Sequence, residues 1–292
     1  MSNTGLIIEE RSRDIGDFLV GRLIPFRKKR MVGPFIFIDH MGPSEVGPGK
    51  YLDIGQHPHI GLSTLTYLME GTILHSDSVG SVQEINPGSV NWMTAGSGVV
   101  HTERTPKALR DGSTHTLHGY QIWVALPKDQ EELTPSFHHV AKEDIPHWQQ
   151  DGFEIKLIAG ESYGRRSPVP VYSPLFMLDI RASESGRFDA NGGLSGEIGI
   201  CIVSGEIKAC GEPIGAGNML VSKSKDICDI EVAKGSHLLI FGGEPFTEER
   251  YIYWNFVSSR KDRIEEAKAD WANKKFKMVS GESGFVPLPG IS

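Results

Sequence analysis

The sequence predicts an all-β protein made of two similar β-barrels, with one short helix near its C-terminus. Short apolar runs rich in Val, Ile, Leu, Thr and Tyr recur along the chain, and Gly, Pro, Asn or Asp bounds each of them. Strands at this spacing, separated by turn residues, are typical of a sandwich or a barrel. The 34 glycines and 17 prolines among 292 residues fit a chain with many turns.

The two halves of the chain echo each other, which favours a duplicated barrel. YLMEGTI (67–73) is similar to CIVSGEI (201–207), and NPGSVNWM (86–93) is similar to GAGNMLVS (215–222). In each half a strand ends at a glycine turn, and a second glycine-bearing turn follows. A repeat of this kind indicates two copies of one supersecondary unit.

A charged segment with three prolines, PKDQEELTPSFHHVAKEDIPHWQQDG (127–152), separates the two halves. We therefore expect a first barrel at residues 1–135, a linker at 136–150, and a second barrel with the helix and tail at 151–292.

Helical periodicity is strong only in KDRIEEAKADWANKKF (261–276). Ile264, Ala267, Lys268 and Trp271 share one face of that helix, so we expect Ile264 and Trp271 to dock it. Ser259 and Asp262 have the spacing of a capping box. The following GESGFVPLPGIS is expected to form an extended strap.

Composition limits the classes of partner and the compartment. A net charge of −7 argues against direct nucleic-acid binding, and we interpret FRKKR (26–30) as a solvated turn. No run of about 18 apolar residues predicts a membrane span, and the N-terminus does not resemble a secretory signal. Three cysteines (Cys201, Cys210 and Cys228) without metal-type spacing predict reduced thiols. The expectation is a monomer in the cytoplasm, or also in the nucleus if the source is eukaryotic.

Two short motifs carry candidate metal ligands. In HPH, His57 and His59 would point to the same face of a strand, because side chains alternate there. His101 and Glu103 form a second such pair 42 residues after His59, a gap long enough for a barrel to return beside its start. Three imidazoles and one carboxylate suit Fe(II), Mn, Ni, Cu or Zn. Such a set would leave coordination positions open for water, O₂ or substrate.

Four long motifs resemble the pirin family of the cupin superfamily: GPFIFIDHMGP, HPHIGLSTLTYLMEG, NPGSVNWMTAGSGVVHTER and LHGYQIWVALP. The resemblance continues through AGESYG, GGEPFTEERYIYWNFV and the C-terminal helix, and so covers nearly the whole chain. It implies two tandem cupin barrels, each a double-stranded β-helix, with one metal in the N-terminal barrel. It also implies His57, His59, His101 and Glu103 as the ligands and iron as the usual metal, Fe(II) here, with Co possible besides Mn, Ni, Cu and Zn.

The resemblance implies two functions. Some pirins cleave flavonols such as quercetin with O₂, and Glu103 would then accept the proton of the flavonol 3-hydroxyl. Other pirins are non-catalytic, iron-dependent regulators that bind partner proteins. We expect a quercetinase-type dioxygenase, with the regulator as the alternative. A metal-dependent isomerase or hydrolase on the same barrel is a third, weaker reading, because one cupin site supports many chemistries.

The chain also departs from the family pattern. Many pirins read HPHRGFET where this chain has HPHIGLST, so Ile60, Leu62 and Ser63 replace Arg, Phe and Glu. Ser63 cannot act as a carboxylate ligand. Ser97 stands where a basic residue is common, which predicts a less positive pocket mouth. In the second half the only histidine past the linker is His237, so we expect no metal there.

The remaining residues of interest receive structural interpretations. His118 beside Gln121 is expected to be structural, and the pair Asp39 and His40 to stabilise a turn. Of Trp92 and Met93, one should line the pocket and the other pack outside. Five further histidines are interpreted as surface or linker residues: His75, His115, His138, His139 and His147.

Overall fold

The computed structural model describes residues 5–15, 18–190, 192–223 and 229–290. Its contacts divide the chain into two compact units. We call one the histidine barrel (residues 13–20, 39–142 and 247–292) and the other the apolar barrel (residues 1–12, 21–38 and 143–246). The chain therefore crosses between the units more than once. The C-terminal helix belongs to the histidine barrel, and N-terminal residues belong to the apolar barrel, so this division differs from the predicted domain boundaries.

The described residues form 25 strands and one α-helix. Four strands precede residue 53, and some of them contribute residues to both units: β1 (Leu6–Glu9), β2 (Arg11–Asp14), β3 (Leu19–Ile24) and β4 (Phe35–Val46). The histidine barrel continues with β5 (Asp53–His59), β6 (Leu62–Glu70), β7 (Ile73–Asp77), β8 (Val82–Ile85), β9 (Val90–Thr94), β10 (Val99–Arg104), β11 (His115–Ala125), β12 (Ser136–Val140), β24 (Tyr251–Tyr253), β25 (Phe256–Ser258) and α1 (Lys261–Ala272).

The apolar barrel contains the remaining strands: β13 (His147–Gln150), β14 (Phe153–Ser162), β15 (Arg165–Arg166), β16 (Leu175–Ala182), β17 (Gly186–Phe188), β18 (Glu197–Ser204), β19 (Glu206–Ala209), β20 (Glu212–Gly215), β21 (Asn218–Lys223), β22 (Ile230–Val232) and β23 (His237–Gly243). Short 3-10 turns cover Lys107–Leu109, Lys128–Gln130 and Lys142–Asp144. The predicted linker at 136–150 is structured, since it contains β12 and β13.

Each barrel is built from a large and a small antiparallel sheet. The small sheets have the orders β5-β10-β7-β8 and β17-β22-β19-β20, and the large sheets share the orders β4-β11-β6-β9 and β16-β23-β18-β21. These eight strands of each barrel match one for one. The first echoed pair falls on β6 and β7 in one barrel and on β18 and β19 in the other, and the second falls on β9 and β21. The predicted all-β fold of two tandem barrels is confirmed.

The interiors of the two barrels differ in chemistry. Among the described residues, one cluster of 21 buried apolar residues, drawn from both sheets, lies in the apolar barrel. The corresponding cluster in the histidine barrel has nine residues, among them Leu68, Ile73 and Leu117. Buried polar side chains of β5, β7 and β10 lie in that barrel as well. Apolar burial stabilises both units, and among the described residues a group of converging buried imidazoles occurs only in the histidine barrel.

The C-terminal helix packs as its periodicity predicts, but it begins differently. Ile264, Ala267 and Trp271 are buried in a cluster that also contains Ile60 and Phe256. The predicted capping box does not form, because Ser259 donates its N–H and hydroxyl to Glu131 instead. The residue before the helix is an extended Arg260 without a side-chain cap.

The tail after the helix forms the expected strap, defined here as residues 279–288. Gln56 holds it from β5: its Oε1 accepts the N–H of Val279 at 2.8 Å, and its Nε2 donates to the Gly284 carbonyl at 2.7 Å. Trp271 Nε1 donates to the Val286 carbonyl. The strap is therefore tied both to the helix and to the strand that carries HPH.

Three smaller predictions have different outcomes. The FRKKR segment does form a turn, closed by paired backbone hydrogen bonds between Phe26 and Lys29. Cys201 is a buried free thiol, but Cys210 is disulfide-bonded, so the prediction of three reduced thiols is wrong there. Cys228 lies outside the described residues. Within the described part of the chain, no helix combines the length and apolar character needed to cross a membrane.

Candidate metal centre

The two histidine motifs lie on neighbouring strands. His57 and His59 end β5, His101 lies in β10, and the two strands are antiparallel. Their register places His101 opposite His57 and Val99 opposite His59. Because side chains alternate along a strand, His57 and His59 share one face and meet His101 across the pair. The predicted return of the chain beside its start is thus realised by direct pairing.

A bulge adjusts the direction of the first histidine. Between His101 and Glu103, β10 has one residue, whereas β5 has two residues, Gly55 and Gln56, between His57 and Ile54. An extra residue of this kind bends a strand and re-aims its side chains. The Gly55 carbonyl, inside the bulge, accepts a hydrogen bond from His57 Nδ1 at 2.8 Å. His57 Nε2 therefore carries the lone pair.

Three imidazoles converge in the barrel interior. One ring nitrogen from each of His57, His59 and His101 lies within 4.8 Å of the others, and all three residues are buried. The Nε2 atoms of His59 and His101 have no hydrogen-bond partner among the described residues. Buried polar atoms are nearly always satisfied, so such orphaned nitrogens point to a missing ligand. A single divalent ion satisfies this requirement with imidazole nitrogen donors.

Burial keeps these imidazoles uncharged. It lowers the pKa of His57 to about 4. Burial also holds the pKa of His59 and of His101 well below the ordinary value, with the repulsion of the neighbouring imidazole cations adding to it. Near neutral pH the three rings therefore present lone pairs rather than positive charges, which is the state that a metal ion requires.

Glu103 is buried beside the triad but is not one of the three residues whose donor atoms converge. Its Oε1 accepts a long hydrogen bond from Thr66 Oγ1 at 3.5 Å. Burial raises the pKa of Glu103 above its usual value, although the charge of His75 and the bond from Thr66 oppose the shift. A carboxyl group with a raised pKa is a better proton acceptor than an exposed one.

His75 was predicted to lie on the surface, and this prediction is wrong. It is buried in β7, directly opposite Glu103 of β10. Its Nδ1 lies 3.3 Å from Nδ1 of His101, and its Nε2 lies 3.0 Å from Oδ2 of Asp77. Sequence reasoning passed over His75 because no histidine stands two residues away, but the HSD triplet (75–77) already carries its acid partner.

Asp77 completes this line of contacts. Its Oδ1 accepts the backbone N–H groups of Val79, Gly80 and Ser81, each at 2.9 Å. Burial alone would raise the pKa of Asp77, but hydrogen bonds from His75 and from the loop outweigh it and lower that pKa. Asp77 is therefore an ionised carboxylate anchored by its own turn.

Aromatic rings surround the histidines. The Trp123 ring meets His59 edge-on, with centroids 5.0 Å apart. Phe137 stacks on His75 with centroids 4.5 Å apart. Trp92 and Met93 are both buried in β9, and Trp92 donates to Thr94. The wall of the site is thus largely apolar, which strengthens electrostatic effects inside it.

The residues that depart from the family pattern do not all face the site. Ile60 packs into the cluster beneath the C-terminal helix, beside Phe256 and Trp271. Buried Ser63 bonds to Thr94. The carbonyl of exposed Ser97 accepts a hydrogen bond from Arg263 of α1. The guanidinium of Arg263 therefore lies beside Ser97, the position where many pirins have a basic residue.

Two further expectations are revised by the structure. Asp39 and His40 lie within β4, both buried, rather than in a turn. His40 Nε2 is 2.9 Å from Nε2 of His118, and its ring stacks on Tyr120. His118 is thus structural, as predicted, with His40 as its partner. The other histidines interpreted as surface residues are partly or fully exposed: His115, His138, His139 and His147.

Comparison with known proteins gives the same fold and family. The Pirin family model matches residues 18–124, and the model of the Pirin C-terminal cupin domain matches residues 177–277. The chain belongs to the pirin family. A Pirin-like protein from Caulobacter vibrioides is 46% identical to this pirin over 288 residues, which cover 97% of this chain and 99% of the relative.

Solved structures extend the likeness. Quercetin 2,3-dioxygenase from Acinetobacter baumannii superposes with a TM-score of 0.89 at 35% identity, covering 99% of this chain and 96% of that one. The bacterial pirin YhhW from Escherichia coli, solved in complex with nickel(II), superposes with a TM-score of 0.65 at 19% identity, covering 82% and 99%. This pirin therefore has the two-cupin fold of the dioxygenase, together with a histidine triad that could hold a metal ion.

Proposed function

We propose that this pirin is a metal-dependent dioxygenase of the quercetinase type, which opens the flavonol ring with O₂. The observation that carries the proposal is the convergence of His57, His59 and His101 with orphaned, uncharged nitrogens inside the barrel. The 35% identical quercetin 2,3-dioxygenase supports the choice of reaction. Glu103 is proposed as the fourth ligand and Fe(II) as the ion, although the same donors accept Mn, Co, Ni, Cu and Zn.

We propose the following roles in the reaction for the residues of the site. When bound, the ion would supply a Lewis acid that eases loss of a proton from a coordinated hydroxyl group. Glu103 would accept the proton of the flavonol 3-hydroxyl, since its raised pKa makes it a competent base. Thr66 Oγ1 donates at 2.9 Å to Gln121 Oε1 and lies 3.5 Å from Oε1 of Glu103, so the carboxyl group of Glu103 is available to take up the proton. Trp123, whose ring meets His59 edge-on, would pack against the aromatic rings of the substrate and exclude water.

The test combines metal loading with a direct assay for turnover. Purified protein is loaded separately with Fe(II), Mn, Co, Ni or Cu and mixed with quercetin, while O₂ consumption and carbon monoxide release are followed. We expect turnover with at least one metal and none with His101→Ala. Glu103→Gln should retain most of the metal and lose turnover, because the amide cannot accept the proton. His147→Gln, at an exposed histidine, is the matched control and should behave like the wild type.

The opposite result is equally informative. Stoichiometric metal binding without turnover for every metal would overturn the dioxygenase proposal and leave the iron-dependent regulatory protein in its place. Undiminished metal in a His57→Ala, His101→Ala double variant would overturn the metal centre itself. In the first case, with metal bound and no turnover, the physiological partner would have to be sought as a protein rather than as a flavonol.

A further inference from the structure

A short chain of polar contacts leads away from the metal centre on the side opposite the open nitrogens. It consists of His101, His75 and Asp77, and we call it the relay. The contacts are 3.3 Å between the Nδ1 atoms of the two histidines and 3.0 Å from His75 Nε2 to Asp77 Oδ2. All three residues are buried, so water does not compete for these bonds.

With both imidazoles uncharged, one arrangement of protons satisfies every contact in the relay. Asp77 is a carboxylate and can only accept, so His75 Nε2 must carry a proton and donate it. His75 Nδ1 then has a lone pair and accepts, which requires His101 Nδ1 to carry the donated proton. His101 Nε2 is therefore left with its lone pair, and this is the atom without a partner.

We propose that His75 and Asp77 are positioning residues that fix the tautomer of His101 and thereby present its Nε2 lone pair to the metal ion. The inference rests on the proposed three-histidine metal centre and not on flavonol cleavage. His57 needs no such relay, because the Gly55 carbonyl accepts its Nδ1 proton directly. Partners of ligating histidines typically contribute about 10–100-fold to metal affinity.

Asp77→Asn separates this role from a structural one. Oδ1 of Asp77 accepts three backbone N–H groups of the loop, so the oxygen of the new amide should stay in that place. Its NH₂ group would then face His75 Nε2, where a donor now stands. To avoid two N–H donors facing each other, His75 must adopt its other tautomer, in which the Nδ1 proton is directed at His101. An inverted tautomer of this kind is how loss of a carboxylate partner disables a catalytic histidine in serine proteases.

The experiment measures Ni²⁺ affinity by competition with a chelator, together with thermal unfolding of the metal-free proteins. We expect Asp77→Asn to bind Ni²⁺ about 10–100-fold more weakly than the wild type while its metal-free melting temperature is unchanged. His75→Leu, which removes the acceptor, should lose a similar factor. His75→Asn keeps an acceptor oxygen near the position of Nδ1 and should stay within about 10-fold of the wild type.

A spectroscopic readout reports on the bond itself. In the Co²⁺-loaded wild type, the His101 Nδ1 proton should appear as a paramagnetically shifted proton signal that exchanges slowly with water. The signal should be lost in His75→Leu and retained in His75→Asn. Exchangeable protons are protected when they are buried and hydrogen-bonded, so a purely packing role for His75 would not produce this difference.

Two outcomes would overturn the inference in distinguishable ways. Equal Ni²⁺ affinity, within about 3-fold, of the wild type and Asp77→Asn would show that the relay does not set the His101 tautomer. Absence of Ni²⁺ binding by the wild type would overturn the metal centre together with the relay. Should His75→Leu fail to fold, the isosteric Asp77→Asn variant alone decides between these results.

Discussion

The two barrels of this pirin have the same strand order but opposite interiors. The small sheets run β5-β10-β7-β8 and β17-β22-β19-β20, so each strand that carries a candidate metal ligand has a topological counterpart in the other barrel. In the histidine barrel those strands carry imidazoles and carboxylates. In the apolar barrel they contribute Phe188, Ile207 and Ile230 to a continuous core. The same strand order can therefore surround either an apolar core or a polar site, and the inward-facing side chains determine which of the two is present.

The pairing register makes the comparison residue by residue. The echo between residues 67–73 and 201–207 aligns Ile73 with Ile207. Two residues after Ile73 in β7, His75 pairs with Glu103 of β10. Two residues after Ile207 in β19, Ala209 pairs with Ile230 of β22. Alanine and isoleucine thus take the places of the histidine and the glutamate. The apolar barrel has no polar pair at these positions but has the same backbone pairing.

The outer faces of the small sheets differ as well. In the histidine barrel, Gln56 of β5 is buried under the C-terminal strap. In the apolar barrel, the corresponding sheet exposes Arg187, Lys208 and Glu231 to solvent. The strand β5, which carries the candidate ligands His57 and His59, is therefore covered on both faces, whereas the corresponding sheet is covered on one. Packing on both faces restricts the motion of a strand and of the side chains it positions.

The largest expected effect is on the stability of the apolar barrel. Phe176→Ala removes a fully buried ring from its core, which should lower the free energy of unfolding by about 3–5 kcal/mol. Urea denaturation in the presence of a chelator measures this loss. Metal stoichiometry should be unchanged at low urea, because the site lies in the other barrel. A folded Phe176→Ala protein that no longer binds metal would contradict the separation of roles.

The next effect is on metal affinity and belongs to the histidine barrel. His101→Ala removes one of three converging donors, so affinity should fall by more than about 100-fold, beyond the loss expected for a partner of a ligand. Isothermal titration with Ni²⁺ checks the prediction. His237→Ala is the control: it breaks the buried pair with Asp179 in the apolar barrel and should cost stability without changing affinity. A large loss of affinity in this control would contradict the comparison.

Acid should destabilise the metal-free histidine barrel. The pKa of His57 is about 4, and those of His59 and His101 are also lowered, so the unfolded chain binds protons first as the pH falls below about 6.5. Stability is therefore present above that pH and is lost on acidification, by up to about 1.4 kcal/mol per pH unit for each histidine. The raised pKa of Glu103 acts in the opposite direction, because its folded form keeps a proton at higher pH.

Urea unfolding with a chelator, from about pH 7 down to about pH 5, checks this slope. The slope should become shallower in His57→Gln, which removes one of the three groups, and should be retained in His147→Gln. Stability that stays constant across this range in the wild type would mean that the three imidazoles are protonated without unfolding the barrel.

The two-barrel fold and the convergence of the three histidines were predicted correctly from the sequence, whereas the residues that contact the histidines were not. Alternation within a strand and the spacing between two motifs were enough to bring His57, His59 and His101 together. His75 was missed because its contact with His101 comes from pairing between β7 and β10, although its other partner, Asp77, lies only two residues away in the sequence. The capping of α1 was wrong for a similar reason, since Glu131 from a distant loop takes the Ser259 donors. Long-range contacts decided both outcomes.

The smallest expected effect is the loss of stability when the strap is released from β5. It tests whether the covered outer face of the small sheet in the histidine barrel matters for the metal centre. Gln56→Ala leaves the Val279 N–H and the Gly284 carbonyl without their partner, which should lower stability by about 1–2 kcal/mol. Metal affinity should fall by less than about 10-fold, because the ligands keep their own hydrogen bonds. Hydrogen exchange should rise in residues 279–288 and in β5, and Lys208→Ala on the exposed face of the apolar barrel should change neither quantity. Unchanged exchange in β5 would mean that the ligand strand is rigid without the strap, and the covered outer face would then have no bearing on the metal centre.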